Sequence, residues 1–349
     1  MSVVWKPIEP AHAAAWAELS NVLAKIDDTD EFYEPEDLVE ELAEPGVDPS
    51  LDTFGGWDGG TMVAYGQLRV SAGLVDRVAK ASLSGGVHPE WRGRGLGRAV
   101  MDWIEPRAAE LAAQRYPGLP LVGSLWCGKP ASGATRLAQA RGYAPARYFR
   151  DMRVELAAWE PLSAGPPPEA VRVGSAQARP LAHRAPSGRV ATSAVEAPGV
   201  VRVLGGEHTE ATRRAHNEAF SDHWGAVERT REKWADQLAS RSFRPALSRV
   251  ALSADPALAP DDAVDAYVLC NEYVPGELYV SLVGTRRRAR GRGLATALLT
   301  DVLGAARSAG FRIADLGVDS ENPTGAVGLY ERVGFSAVRT TVVYERGLG

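Results

Sequence analysis

Cysteine is nearly absent: only Cys127 and Cys270 carry thiols among 349 residues, one in each half of the chain. Two isolated thiols form neither a disulfide framework nor a metal-ligand spacing, and they suit a reducing compartment. Long apolar runs are missing as well. No stretch approaches the ~20 apolar residues that cross a bilayer, and the N-terminus lacks the basic-then-apolar pattern of a secretory leader. A cytoplasmic protein is expected. There is also no excess of positive charge: the net charge is −5, which argues against bulk binding to nucleic acid or anionic membranes. The partners expected are therefore small molecules, with no metal, nucleic acid or membrane among them.

What is present is an ordinary globular composition, 45% hydrophobic and 24% charged, in a chain long enough for two domains of ~100–200 residues. Charge is unevenly placed. Residues 27–41 are dense in carboxylates, and residues 286–292 hold five arginines. Two segments repeat. Arg92-Gly93-Arg94-Gly95-Leu96-Gly97 returns 198 residues later as Arg290-Gly291-Arg292-Gly293-Leu294-Ala295. Both copies follow an apolar strand-like run (ending near Val87 and Val283) and lead into an Ala- and Leu-rich helix.

The surrounding patterns repeat too. In the first half, residues 10–25 and 35–44 read as helices, with Pro35 in the first turn of the second. Strands follow at Thr53–Trp57, Thr61–Val70 and Lys80–Val87, the first two joined by the hairpin signal Asp58-Gly59-Gly60. After the loop come a helix to about Ala113, a strand at Leu119–Trp126, a helix at Ser132–Gln139 and a strand at Tyr148–Leu156. The second half has helices at Glu210–Ala219 and Thr230–Leu238, then strands at Arg249–Ala254, Ala263–Tyr273 and Leu278–Thr285. Helix Leu294–Ser308, strand Phe311–Val318, helix Thr324–Val333 and strand Ala337–Tyr344 complete it. Residues 157–200 are rich in Ala, Pro, Ser, Gly and Arg without a period, and read as a linker. The predicted domains are 1–156 and 201–349.

Helix N-termini present unpaired N–H groups and partial positive charge, so they accept phosphates. Glycine clears the approach, and arginine adds bidentate charge toward phosphate oxygens. The loops lack the Gly-Lys-Ser/Thr ending of ATP-binding loops and the acidic partner of a dinucleotide fingerprint. A phosphorylated cofactor other than ATP or NAD is expected.

These residues resemble the GCN5-related N-acetyltransferase (GNAT) family. Its acetyl-CoA signature, Arg/Gln-x-x-Gly-x-Gly/Ala, is matched by Arg290, Gly293 and Ala295 and by Arg92, Gly95 and Gly97. A second signature is carried by Asn322, Ala326, Leu329, Tyr330, Gly334 and Phe335, with one extra residue after the asparagine. The resemblance implies an α+β fold: two tandem domains, each a splayed mixed β-sheet flanked by helices. It implies acetyl-CoA as co-substrate, held by Leu282, Val283 and Thr285, by Arg290 to Thr296 (Arg290, Gly291, Arg292, Gly293, Leu294, Ala295, Thr296) and by Asn322. The first copy would use Val87 and Arg92, Gly93, Arg94, Gly95, Leu96 and Gly97. Aligning Gly142-Tyr143 with Gly334-Phe335 sets Ala138 on Tyr330, so the first copy lacks the tyrosine hydroxyl and is expected to be non-catalytic.

Tyr330 is the expected acid for the leaving thiolate. Glu277 is the first candidate for the base, because strand alternation puts Glu277, Tyr279, Ser281 and Val283 on one face; Glu272 is the second. His223 and Trp224 are candidate acceptor contacts. The expected activity is N-acetylation of a primary amine of a small molecule by a monomer or homodimer. The acidic 27–41 segment suits a cationic acceptor. The strand Gly276–Val280 resembles two-domain family members that acetylate a cysteinyl pseudodisaccharide, from which the long linker and Gly317 depart. A non-catalytic acyl-CoA sensor is the reading from another class.

Overall fold

The computed structural model describes residues 3–27, 29, 31–127, 132–161, 201–221, 223–224, 226–321 and 325–349. The first half contains β1 (Val4–Lys6), α1 (Ala13–Asp27), α2 (Pro35–Leu42), α3 (Pro49–Asp52), β2 (Thr53–Asp58), β3 (Thr61–Val70), β4 (Ala79–Val87), α4 (Leu96–Arg115), β5 (Leu121–Cys127), α5 (Gly133–Ala140) and β6 (Ala144–Glu155). The second half contains β7 (Val201–Val203), α6 (Thr209–Phe220), α7 (Arg231–Ala239), β8 (Arg249–Leu252), β9 (Val264–Val274), β10 (Glu277–Thr285), α8 (Leu294–Ser308), β11 (Ile313–Asp319), α9 (Ala326–Val333) and β12 (Ser336–Gly347). The expected elements all form. β1, β7 and α3 were not expected: at three or four residues they are too short to show a period.

Local chemistry accounts for the element ends. Pro35 opens α2, and the carboxylates of Glu34 and Asp37 cap its first amides reciprocally. In α8, Leu294, Leu298 and Val302 lie four residues apart on one buried face, and Gly310 ends the turn with φ +88°.

The strands form one twelve-stranded mixed sheet in the order β1-β2-β3-β4-β5-β12-β6-β11-β10-β9-β8-β7. The last strand of each sequence half has crossed over. β12 pairs with β5 of the first half, and β6 pairs with β11 of the second, the two lying antiparallel side by side. Met152 and Val154 of β6 are thus buried in the core built around α8 and α9. Val342, Tyr344 and Leu348 are buried in the core built around α4 and α5. The boundary drawn after residue 156 divides the sequence, but the sheet runs through it.

Residues 157–161, read as the start of the linker, are docked: Trp159 is buried and its Nε1 donates to the Val333 carbonyl at 2.8 Å. The remainder of that linker, 162–200, lies outside the described residues. Helices α4, α5, α8 and α9 cover one sheet face. Helices α1, α2, α6 and α7 cover the other at its two ends, leaving a cleft between them.

Candidate active site

The two glycine loops have the same backbone. Gly93 and Gly291 have φ +77° and +75°, and Gly95 and Gly293, the residues that start α4 and α8, have φ +87° and +74°. A Cβ at any of the four would meet open space, so the left-handed backbone, rather than crowding, demands glycine. The signature arginines do the same work in both copies. Arg92 Nε donates to the Val87 carbonyl at 3.1 Å and Arg290 Nε to the Thr285 carbonyl at 3.3 Å.

The arginines around the loops also have partners within the protein. Arg288 and Arg292 are tied to the buried Asp265 carboxylate at 2.8 and 3.4 Å, and Arg286 to Glu218 and Asp262 at 2.7 and 3.2 Å. Arg92 also holds Asp27, and Arg94 caps the Glu90 carbonyl. What remains for an anion is the amide-lined helix start.

Above each loop two parallel strands splay. β10 and β11 pair only from Glu277–Ile313 to Tyr279–Asp315, and β4 and β5 only from Ala79–Leu121 to Leu83–Leu125, before diverging. The halves differ in the strand before the loop, where β10 slips against β9 twice, first between Glu277 and Tyr279. The β10–β9 register slips between Val280 and Leu282, leaving Ser281 as a bulge. The β4–β3 register runs unbroken from Ala81 to Val87. The bulge overturns the expected single face. Glu277, Tyr279 and Ser281 line the cleft, but beyond the slip Leu282 turns to the cleft and Val283 packs on the α8 core.

Tyrosines gather at the second splay. Tyr330 on α9 is buried beside Phe335 at 6.1 Å, and its hydroxyl has no hydrogen-bond partner among the described residues. Burial, then Tyr279, raises its pKa above the usual tyrosine range. Tyr279 is pushed up to about 12 by burial, then Tyr273, Asp151 and Glu31, against a lowering effect of the nearby Gly317 amide. A Cβ at 317 would lie 3.3 Å from the Tyr279 hydroxyl, so Tyr279 occupies the space beside Gly317. In the first half the Tyr143 amide donates to the Ala138 carbonyl at 3.0 Å, just as that of Phe335 does to Tyr330. The position of Ala138 is therefore that of Tyr330, without a hydroxyl.

Below Gly284, where a Cβ would run into the Tyr267 ring, the Tyr267 hydroxyl meets His216 Nδ1 at 2.7 Å. Burial, then Arg229 and His223, lowers the His216 pKa from 6.5 to about 3. The unfolded chain takes up this proton and the folded one refuses it, so the contribution is complete above pH 6.5 and is lost as pH falls toward about 3. Thermal melts at pH 7 and 4.5 are expected to show a smaller acid-induced drop in Tm for His216→Gln than for the wild type. Equal drops would remove His216 as the cause.

The other candidate residues separate. Glu277 lines the cleft and pairs with Arg312 at 3.3 Å. Glu272 does not line it: Arg244 holds one oxygen at 2.7 Å and the Gly276 amide donates to the other at 2.8 Å, which fixes the β9–β10 turn. His223 stacks on Phe220 at 4.3 Å. Trp224 lies against Phe149 at 6.4 Å, with Lys80 and Arg147 over its ring. Neither is among the residues that line the cleft, and Trp224 bridges to the first half. Leu294 is buried in the α8 core, and Asn322 lies outside the described residues.

The cleft, about 1700 Å³, runs across the sheet from the first glycine loop to β10 and β11. Its roof is Arg241 joining α2 through Asp37 at 2.7 Å. Glu31 and Tyr33 of the first half face Tyr279 across it. Glu31 opens to the cleft but is walled by protein, and burial raises its pKa despite Arg339. Sequence reading saw an acidic segment here; that a residue of the first half would enter the second half's pocket depends on the crossed sheet.

The Acetyltransferase (GNAT) family profile matches residues 16–143 and 210–335. The mycothiol acetyltransferase of Geodermatophilus obscurus is 28% identical over 347 residues, covering 97% of this chain and 96% of its own. That of Thermobispora bispora is 30% identical, covering 74% of each. A GCN5-related N-acetyltransferase structure from Sphaerobacter thermophilus aligns with a TM-score of 0.68 at 24% identity, over 99% of this chain and 96% of that one. A tandem GNAT protein from the clavulanic acid biosynthesis pathway aligns with a TM-score of 0.65 at 16% identity, over 100% and 99%. With one match in each half and the same loop geometry in both, the chain belongs to the GNAT family of acetyltransferases, in its tandem, mycothiol acetyltransferase-like form.

Proposed function

We propose that the chain transfers the acetyl group of acetyl-CoA to a primary amine of a small molecule, with the chemistry at the second splay. The observation that carries this reading is the conjunction of the Ser281 bulge and the Tyr330 hydroxyl in the second half. The first half has an unbroken strand and Ala138 in their places.

The amine must be neutral to attack, so a base removes its proton. Glu277 takes that proton, and Glu31 attracts the ammonium form from the opposite wall. A bulged residue stands outside the ladder, so the Ser281 amide is suited to stabilise the oxyanion as the N–C bond forms. When the C–S bond breaks, Tyr330 gives its proton to the thiolate. The first loop retains an open cradle from Ser84 to Arg98 and would hold a CoA without turning it over.

The names and coverage of the relatives favour one acceptor within this class, the cysteinyl amine of the mycothiol precursor. A panel of small primary amines that includes that compound, assayed for CoA release, tests the reading. Binding of acetyl-CoA with no amine acetylated would defeat it. On the best amine, Glu277→Gln is expected to lower kcat by about 10²-fold or more, whereas Glu31→Gln raises KM. The reverse pattern would exchange their roles.

A further inference from the structure

A second cavity, about 310 Å³, opens where the halves meet. It shares Glu44, Pro45, Arg69, Arg229 and Lys233 with the wide cleft, and so branches from it. One wall is the 44–47 turn with β3 and β4; the other is the 227–233 segment, where Val227 presses on Gly73. A chamber of this size matches the lower end of small-ligand pockets.

Its charge is what distinguishes it. Arg69, Lys80, Arg229 and Lys233 converge on it, against Glu44 alone among the lining carboxylates. Arg69 is balanced by Glu41 and Glu44 at 2.9 and 3.2 Å, and Lys80 by Glu345 at 3.0 Å. The side chains of Arg229 and Lys233 have no ion pair or hydrogen bond with another described residue. Like charges brought together raise one another's cost, and an anion between them relieves it. Counted back past the Ser281 bulge, Lys80 stands in β4 where Glu277 stands in β10. The chamber is thus the first half's counterpart of the acceptor pocket, cationic where the other holds Glu31, Glu277 and Asp315.

We propose that this chamber is a specificity subsite that receives a carboxylate or phosphate group of the acceptor, whose amine lies at the acidic end of the same cleft. The inference rests on the acetyl-transfer reading but not on the cysteinyl pseudodisaccharide, which carries neither group; a preference of the wild type for that compound over every anionic amine would overturn the subsite. A bipolar acceptor is matched at both ends, and a simple polyamine leaves Arg229 and Lys233 unanswered.

Two measurements on the full chain test it. Inorganic phosphate and citrate are titrated by calorimetry into the wild type and the Arg229→Gln/Lys233→Gln variant, with melting curves to confirm that both are folded. Saturable binding that weakens tenfold or more in the variant is expected; no binding, or equal binding in both, overturns the site. Pairs of amines differing only in a carboxylate or phosphate are then compared by kcat/KM. The wild type is expected to favour the anionic member at least tenfold, and the variant to lose that preference through KM. If phosphate or citrate binds but the wild type shows no preference, the chamber holds a free anion and the acceptor assignment is overturned. If no amine is acetylated, the enzymatic reading fails while the calorimetry still decides the chamber.

Discussion

Tyr330→Phe is expected to lower acetyl transfer by about 10²- to 10⁴-fold, the usual loss for a general acid, with acetyl-CoA binding retained. The change removes one oxygen and keeps the ring against Phe335. That hydroxyl has no hydrogen-bond partner among the described residues, and Tyr279 is near enough to raise its pKa. Its raised pKa means that it holds its proton through the neutral range and begins each cycle as an acid. The alkaline limb of kcat due to this group lies above the usual tyrosine range, and that limb is expected to vanish in the variant. Turnover assays with calorimetric acetyl-CoA titration check the pair of outcomes. Activity within twofold of wild type would mean that the thiolate is protonated from another source, such as solvent.

Met152→Ala is expected to destabilise the protein by about 2–5 kcal/mol, the range for emptying a buried large side chain, and the damage should fall on the other half of the sequence. Met152 is fully buried, yet it belongs to the core that holds Leu298, Leu299 and Val302 of α8 rather than to the core of its own half. Tyr344→Ala is the reciprocal change, since Tyr344 packs with Met101 and Ile104 of α4. Hydrogen exchange reads the difference: α8 amides should lose protection in the first variant and α4 amides in the second. Loss confined to α4 in Met152→Ala would contradict the crossed packing.

The sequence carried the parts whose causes are local. Helix α8 was legible from Leu294, Leu298 and Val302 and from Gly310. Both glycine loops were legible because a left-handed backbone at 93, 95, 291 and 293 tolerates little else. The equivalence of Tyr330 and Ala138 was legible because each lies four residues before Gly334 or Gly142. The features that escaped depend on distant strands. The slip at Ser281 is a mismatch between β10 and β9 that no alternation in β10 announces. The ion pairs of Arg288 and Arg292 with Asp265 escaped as well, because nothing near Asp265 in the sequence announces two arginine partners. Glu31 entered the site only because β6 and β12 change places. Until the strands are ordered, its partners Arg339 and Tyr279 are more than two hundred residues away.

The crossed strands also constrain how such a chain can change over generations. A duplicated copy that loses its chemistry would ordinarily be free to decay or be deleted. Here the first copy supplies β6, and removing it would strip the second copy's sheet of an interior strand and its core of Met152 and Val154. Each half is thereby kept under selection by the other, since the loss of either opens its partner's sheet.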